Sequence, residues 1–227
     1  MSADRAVHPH KVRVKSRKIR SQSSRAWLER QLNDPYVARA RREGLRSRAA
    51  FKLAEIDDRH RFLKPGARVV DLGAAPGSWS QLAAARVAAA EQKGRVIAVD
   101  RLDMASIAGV EFLRIDFLDS HAPEAVKSVL AGAADVVLSD MAANATGHRK
   151  TDHLRTMALA EAAAEFAREV LAPGGIFLCK VLQGGTETAL LAALKRDYVS
   201  VKHVKPAASR TDSAELYLLA QGFRARN

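Results

Sequence analysis

Beyond residue 68 the chain alternates short apolar runs with amphipathic stretches. Val69–Leu72, Val96–Val99, Glu111–Ile115, Val136–Leu138 and Ile176–Val181 have strand length, and Trp79–Ala90, Glu124–Leu130 and His153–Leu171 read as helices. Such alternation predicts a Rossmann-like, doubly wound α/β sheet with mostly parallel strands. The end of the chain differs. Helix Glu187–Arg196 leads to strand Val199–Val204, and strand Leu216–Gln221 follows after a connection too short for a crossover helix, so a C-terminal antiparallel strand is expected. Upstream, helices are predicted at Trp27–Leu32, Tyr36–Arg42 and Arg48–His60. The last has Ser47 as N-cap and Phe51, Leu53 and Ile56 as apolar positions, and Pro65-Gly66 then breaks the chain.

A chain of 227 residues can build one good core plus an appendage, and charge says where the appendage lies. The first fifty residues carry 14 Lys/Arg against 4 Asp/Glu, leaving 23 against 21, so most of the net charge of +12 sits at the start. Residues 1–25 combine that charge with few apolar side chains; they are expected to be a disordered basic arm on a single domain spanning 26–227. The asymmetry points to a polyanionic partner, nucleic acid above all. Organellar leaders are also Arg- and Ser-rich, but between His8 and Ser24 only Val12, Val14 and Ile19 are apolar, too few for an amphipathic leader helix. No apolar stretch approaches the roughly 20 residues of a membrane span. The lone Cys179, inside an apolar run, suits a reducing compartment. The expectation is a cytoplasmic monomer that does not engage membranes.

Chemistry begins at the first crossover. Val69-Val70-Asp71-Leu72 runs into Gly73-Ala74-Ala75-Pro76-Gly77 and then a helix, an outline that places an adenosine-containing cofactor at the carboxyl edge of a sheet. Nicotinamide dehydrogenases share this outline, with an acid after the second strand, here Asp100. The loop nevertheless lacks the glycine spacing that seats a pyrophosphate on a helix N-terminus, and Pro76 removes an N–H. A cofactor without a diphosphate is favoured. S-adenosyl-L-methionine fits, with Asp71 and the turn near its methionine part, Asp100 on the ribose hydroxyls, and Asp116 on the adenine amino group.

Asp140 ends the fourth strand and Lys180 lies in the fifth, Phe177–Val181, so both approach the cofactor edge. A lysine in an apolar strand is costly unless paired or neutral, which argues for function. With these residues the chain resembles the FtsJ/RrmJ (RlmE) family of ribosomal RNA ribose 2′-O-methyltransferases, from about Ser24 to Gly222. The resemblance rests on Gly44-Leu45-Arg46-Ser47-Arg48-Ala49, Phe51-Lys52-Leu53, the Val69–Gln81 segment, Ser139-Asp140-Met141, Leu171-Ala172-Pro173-Gly174-Gly175, Lys180-Val181, and Ser209-Arg210 ahead of Glu215.

The resemblance implies the fold type of S-adenosylmethionine-dependent methyltransferases. It also implies a catalytic tetrad of Lys52, Asp140, Lys180 and Glu215 with Lys180 as base, and cofactor contacts from Gly77, Trp79, Asp100, Asp116 and Asp140. The implied substrate is the ribose 2′-hydroxyl of a uridine in 23S ribosomal RNA, presented by an assembled or nearly assembled 50S subunit. The basic arm and the Arg39–Arg48 region would bind phosphates. Trp27 and Tyr36 would either stack on bases or pack on the domain, and Ala142–Asp152 would form a loop that orders around RNA. Two departures stand out: Ala143 replaces the proline common before Asn144, and Ser78 replaces a commoner glycine, on a position expected to face outward. Rival readings are a 2′-O-methyltransferase of tRNA or another RNA, and a non-catalytic RNA-binding assembly factor. An intact tetrad argues against the latter. No metal is expected, since His8 and His10 lie in the arm and His148 and His153 lack companions of ligand spacing.

Overall fold

In a computed structural model of the chain, residues 22–143, 146–183 and 188–225 are described, and the expected basic arm lies almost wholly outside them. Their strands are β1 (Arg68–Leu72), β2 (Arg95–Asp100), β3 (Val110–Arg114), β4 (Ala134–Ser139), β5 (Leu171–Leu182), β6 (Tyr198–Val204) and β7 (Glu215–Phe223). They form one sheet in the order β3-β2-β1-β4-β5-β7-β6. Pairs from β3 through β5 are parallel, while β7 runs antiparallel to both β5 and β6. This is the predicted doubly wound sheet with its antiparallel close.

Helices α1 (Gln22–Leu32), α2 (Pro35–Arg42), α3 (Ala49–His60), α4 (Ser78–Val87), α5 (Ala122–Leu130), α6 (Arg149–Val170) and α7 (Thr188–Asp197) complete the fold. Strand alternation divides the apolar side chains between two cores. Val70, Leu72, Val137, Phe177, Cys179 and Leu218 pack with α5, α6 and α7. Val69, Val136, Leu138, Leu178, Tyr217 and Leu219 pack with α3 and α4. Asp140, Lys180 and Glu215 share the parity of the second set, so they project toward the α3 side.

Asp57 fixes α3 on that face. Its buried carboxylate accepts from the backbone N–H groups of Phe62 and Leu63, at 2.9 and 2.8 Å, and from Arg86 of α4 at 3.0 Å. Arg48, not Ser47, occupies the N-cap position of α3; the Ser47 hydroxyl accepts from the Ala49 N–H at 3.1 Å, one step further out. The segment expected as a loop up to Asp152 turns helical at Arg149. Asp152, in the first turn of α6, suits that start and accepts from the Thr146 N–H and hydroxyl at 2.8 and 2.6 Å.

Candidate active site

The turn between β1 and α4 hangs from the end of β2. Gly73 and Ala74 donate to the Val99 carbonyl at 2.8 and 3.1 Å, and the Ala75 N–H donates to Asp100 Oδ2 at 2.9 Å. Asp100 Oδ1 accepts from the Leu102 N–H at 2.8 Å. Each Asp100 oxygen therefore keeps one lone pair, enough to receive a pair of ribose hydroxyls. Asp116 closes a similar small turn after β3, accepting from the Leu118 N–H at 3.1 Å. Gly77 adopts φ +99° at the N-cap of α4, and a Cβ there would stand 2.7 Å from Arg46 Nη1.

Arg46 closes this edge from above. Its guanidinium donates to the carbonyls of Pro76, Ala105 and Ser106 at 2.9, 2.7 and 2.7 Å, joining the β1–α4 and β2–β3 connections. Sequence reasoning grouped Arg46 with phosphate-binding arginines, yet its donors serve the protein's own loops. Arg39 pairs with Glu43 and lies 4.4 Å over the Phe51 ring, and Arg48 pairs with Asp34 at 2.7 Å. Arg41 and Arg42 remain exposed. Tyr36 packs against Phe51 at 5.5 Å and donates to Glu55 at 3.2 Å.

One residue at the start of α4 sits differently from expectation. Ser78 is buried, with its hydroxyl 2.6 Å from that of Ser47, so the departure from glycine ties α4 to α3 and does not face outward. The Trp79 indole is also buried, donating to the Ala49 carbonyl at 2.9 Å with its ring 5.5 Å from Tyr217, which leaves its main chain as the part near the cofactor edge. Asp71 lies beneath the turn, fully buried, accepting from Ser80 at 2.6 Å. Burial pushes its carboxyl up to about 7, against the Ser80 bond and with help from Asp140 and Asp100. Its Oδ1 has no hydrogen-bond partner among the described residues.

Lys52, Asp140, Lys180 and Glu215 come together at the carboxyl edge. Ser139 pairs with Cys179 across β4 and β5, so the next residues, Asp140 and Lys180, meet at the strand ends. Lys180 Nζ stands 3.1 Å from Asp140 Oδ1 and donates to the Asp140 carbonyl at 2.6 Å. Lys52 reaches down from α3 to both Glu215 oxygens, at 2.7 and 2.9 Å. Burial tends to raise the Glu215 carboxyl, but Lys52, Lys180 and the Ser209 hydroxyl outweigh it and hold the group below the usual range. Sequence reasoning missed Tyr217, whose hydroxyl lies 3.1 Å from Asp140 Oδ1 and 3.2 Å from Glu215 Oε1. Tyr217 is two residues beyond Glu215 on the same strand face, but only the sheet order sets it opposite Lys180.

A cavity of about 240 Å³ opens from the Lys52–Glu215 pair toward Arg30, Arg48 and Arg210. A larger hollow of about 660 Å³ lies at the opposite, amino ends of β1 to β3, beside Arg68, Arg95 and Val110, away from the grouped lysines and acids. Among the described residues no cluster of His, Cys, Asp or Glu could hold a metal ion, and no helix is long and apolar enough to cross a membrane. Cys179 is buried, and burial pushes its thiol up to about 12, which keeps it unreactive.

Comparison with known proteins places the chain as a whole. The sequence model of the FtsJ-like methyltransferase family matches residues 45–223. A protein of Azorhizobium caulinodans named ribosomal RNA large subunit methyltransferase E is 65% identical over 218 residues, covering 96% of this chain and 91% of its own. A Nitrobacter winogradskyi protein of the same name is 64% identical over 213 residues, covering 94% and 93%. Among solved structures, a Plasmodium falciparum protein described as a ribosomal RNA methyltransferase superposes with TM-score 0.70 at 28% identity, over 80% of this chain and all of that one. A Methanococcus jannaschii fibrillarin, at 14% identity and TM-score 0.51 over 71% of this chain and 69% of its own, shares the fold alone.

Proposed function

This chain belongs to the FtsJ-like methyltransferase family, and from that premise we propose that it methylates the ribose 2′-hydroxyl of a uridine in 23S ribosomal RNA, using S-adenosyl-L-methionine. The substrate reading is supported by relatives named large-subunit ribosomal RNA methyltransferases at 65% and 64% identity. The observation that carries the chemistry is the paired arrangement of Lys180 with Asp140 and Lys52 with Glu215 at the carboxyl edge.

The residues fit the cofactor. Asp100 retains two lone pairs for a ribose diol, Asp116 stands ready for an amino group, and the turn at Gly73–Gly77 lacks the glycine spacing of a diphosphate cradle. Gly77, the Trp79 main chain and Asp140 complete the set that would hold it. When bound, the cofactor supplies an electrophilic methyl group on a sulfonium, whose sulfur keeps the electron pair of the broken bond. The protein's work lies with the hydroxyl. Lys180 in its neutral form accepts the hydroxyl proton as the ribose oxygen takes the methyl, and Asp140 aims the amine. Lys52, anchored by Glu215, orients the ribose from the α3 side.

We further take residues 26–227 as one catalytic domain, with the basic arm adding affinity for RNA phosphates. Among the described residues there is no separate RNA-reading module, so in this reading recognition draws on the shape of an assembled or nearly assembled large subunit. The test is to map alkali-resistant riboses in total RNA from cells with and without the protein, and to compare rates on undermethylated large subunits and a naked hairpin. One 23S uridine should lose its methyl group, and the particle should be much the better substrate. A lost methyl in tRNA instead, or equal rates, would redirect the proposal.

A further inference from the structure

Tyr217 is the fully buried residue directly opposite Lys180 across the β5–β7 pair. Its hydroxyl faces two carboxylate oxygens, Asp140 Oδ1 at 3.1 Å and Glu215 Oε1 at 3.2 Å. A phenol has one proton, so it can serve only one of them at a time. Glu215 is already provided for: Lys52 contacts both its oxygens, and Ser209 donates to Oε1 at 3.0 Å. Asp140 Oδ1 has Lys180 at 3.1 Å as its cationic partner. The Tyr217 proton therefore belongs on Asp140.

We propose that Tyr217 is a positioning residue that holds the Asp140 carboxylate while Lys180 is neutral, and so allows Lys180 to act as the proton acceptor. The inference rests on Lys180 being the base. When the amine carries no charge, Asp140 loses its cation and would become an unpaired, largely buried carboxylate, a state that is costly without a hydrogen-bond donor. The phenol supplies that donor without contributing charge. Burial, followed by the adjoining Asp140 and Glu215, keeps the phenol protonated well above its ordinary range, so it remains a donor throughout. During transfer the 2′-hydroxyl proton moves to Lys180 Nζ, the restored ammonium takes up Asp140 again, and Tyr217 neither gains nor loses a proton.

The groups facing this cluster are Lys52 from α3, Asp140 from the end of β4, Lys180 from β5, Glu215 from β7 and the Ser209 hydroxyl. The Trp79 ring packs on the phenol from α4, and Asp71 lies below at the end of β1. Tyr217→Phe keeps the ring against Trp79 and leaves every other group in place. Single-turnover transfer from tritiated S-adenosylmethionine to undermethylated large subunits, followed from neutral to alkaline pH, reads the effect. The acid limb of the rate profile should move up by about one unit, a fall of about tenfold at a pH on that limb. At alkaline pH the variant should return to within about threefold of wild type. Cofactor affinity within about threefold certifies the fold. Ser209→Ala, which frees Glu215 to compete for the phenol proton, should move the limb the same way by less.

A uniform loss at all pH values would mark a merely structural residue and overturn the proposal, as would an unchanged limb or a Ser209→Ala limb moving the other way. Lys180→Ala in the same assay separates the two claims. Near-normal transfer in that variant would refute the base itself, whereas loss there with an unshifted Tyr217→Phe profile would refute only the role of Tyr217.

Discussion

Gly73 and Met141 stand so close that a Cβ on Gly73 would lie 2.8 Å from the Cα of Met141. The turn that opens the cofactor edge is thus pressed against the residue following Asp140. Gly73 also holds φ +79°, a conformation that side chains resist. Gly73→Ala should cost about 2 kcal/mol or more in stability and displace Asp140 with the turn. Thermal melting and cofactor titration check this together: a lowered melting temperature with at least tenfold weaker cofactor binding is expected, and unchanged binding would separate the turn from the site.

Lys180→Ala should reduce single-turnover methyl transfer by about 10²–10⁴-fold while leaving cofactor affinity nearly intact, because the proposed base would face the hydroxyl and not the cofactor. Asp140→Ala should damage both, since it touches Lys180 and adjoins the turn. A Lys180→Ala enzyme with more than about a tenth of the normal rate would remove that lysine from the central role.

Asp71 makes stability depend on pH in a direction unusual for a carboxylate. Its folded pKa of about 7 lies above the ordinary 3.8, so between those values the native state holds a proton that the unfolded chain has released. Stability from this group is full below the lower value and is lost as pH rises to the upper one. Asp71→Asn should therefore melt higher than wild type at pH above about 7 and lose that advantage toward pH 4. Parallel melting curves across that range would show that Asp71 does not titrate there.

Removing residues 1–24 takes away 7 Lys/Arg and one acid. If about four of those cations contact phosphate, the log–log salt dependence of RNA binding should flatten by roughly 3, at about 0.7 per contact for single strands. The rate at saturating RNA should change little. An unaltered slope would assign the arm no part in binding.

The strand pattern made β1, β2, β4 and β5 legible in the sequence, because buried parallel strands are short continuous apolar runs. Asp140 and Lys180 followed, since residues at the ends of neighbouring strands meet at the carboxyl edge. Tyr217 was not legible. Its position depends on β7 inserting between β5 and β6, which sets it opposite Lys180, and no local signal distinguishes that order from one with β6 inside. Ser78 and Arg46 were misread for a related reason: a polar side chain in a loop reads as solvated unless its partner, here Ser47 or a trio of carbonyls, can be seen.

Because β7 supplies both Glu215 and Tyr217 while Lys52 comes from α3, 163 residues upstream of Glu215, the site closes last during synthesis. A growing chain that has already folded β1 to β5 around a cofactor edge still has one lysine without its acid and an aspartate without its phenol. The proposed tetrad is therefore assembled by a pairing of high sequence separation, which waits for β7 to be made.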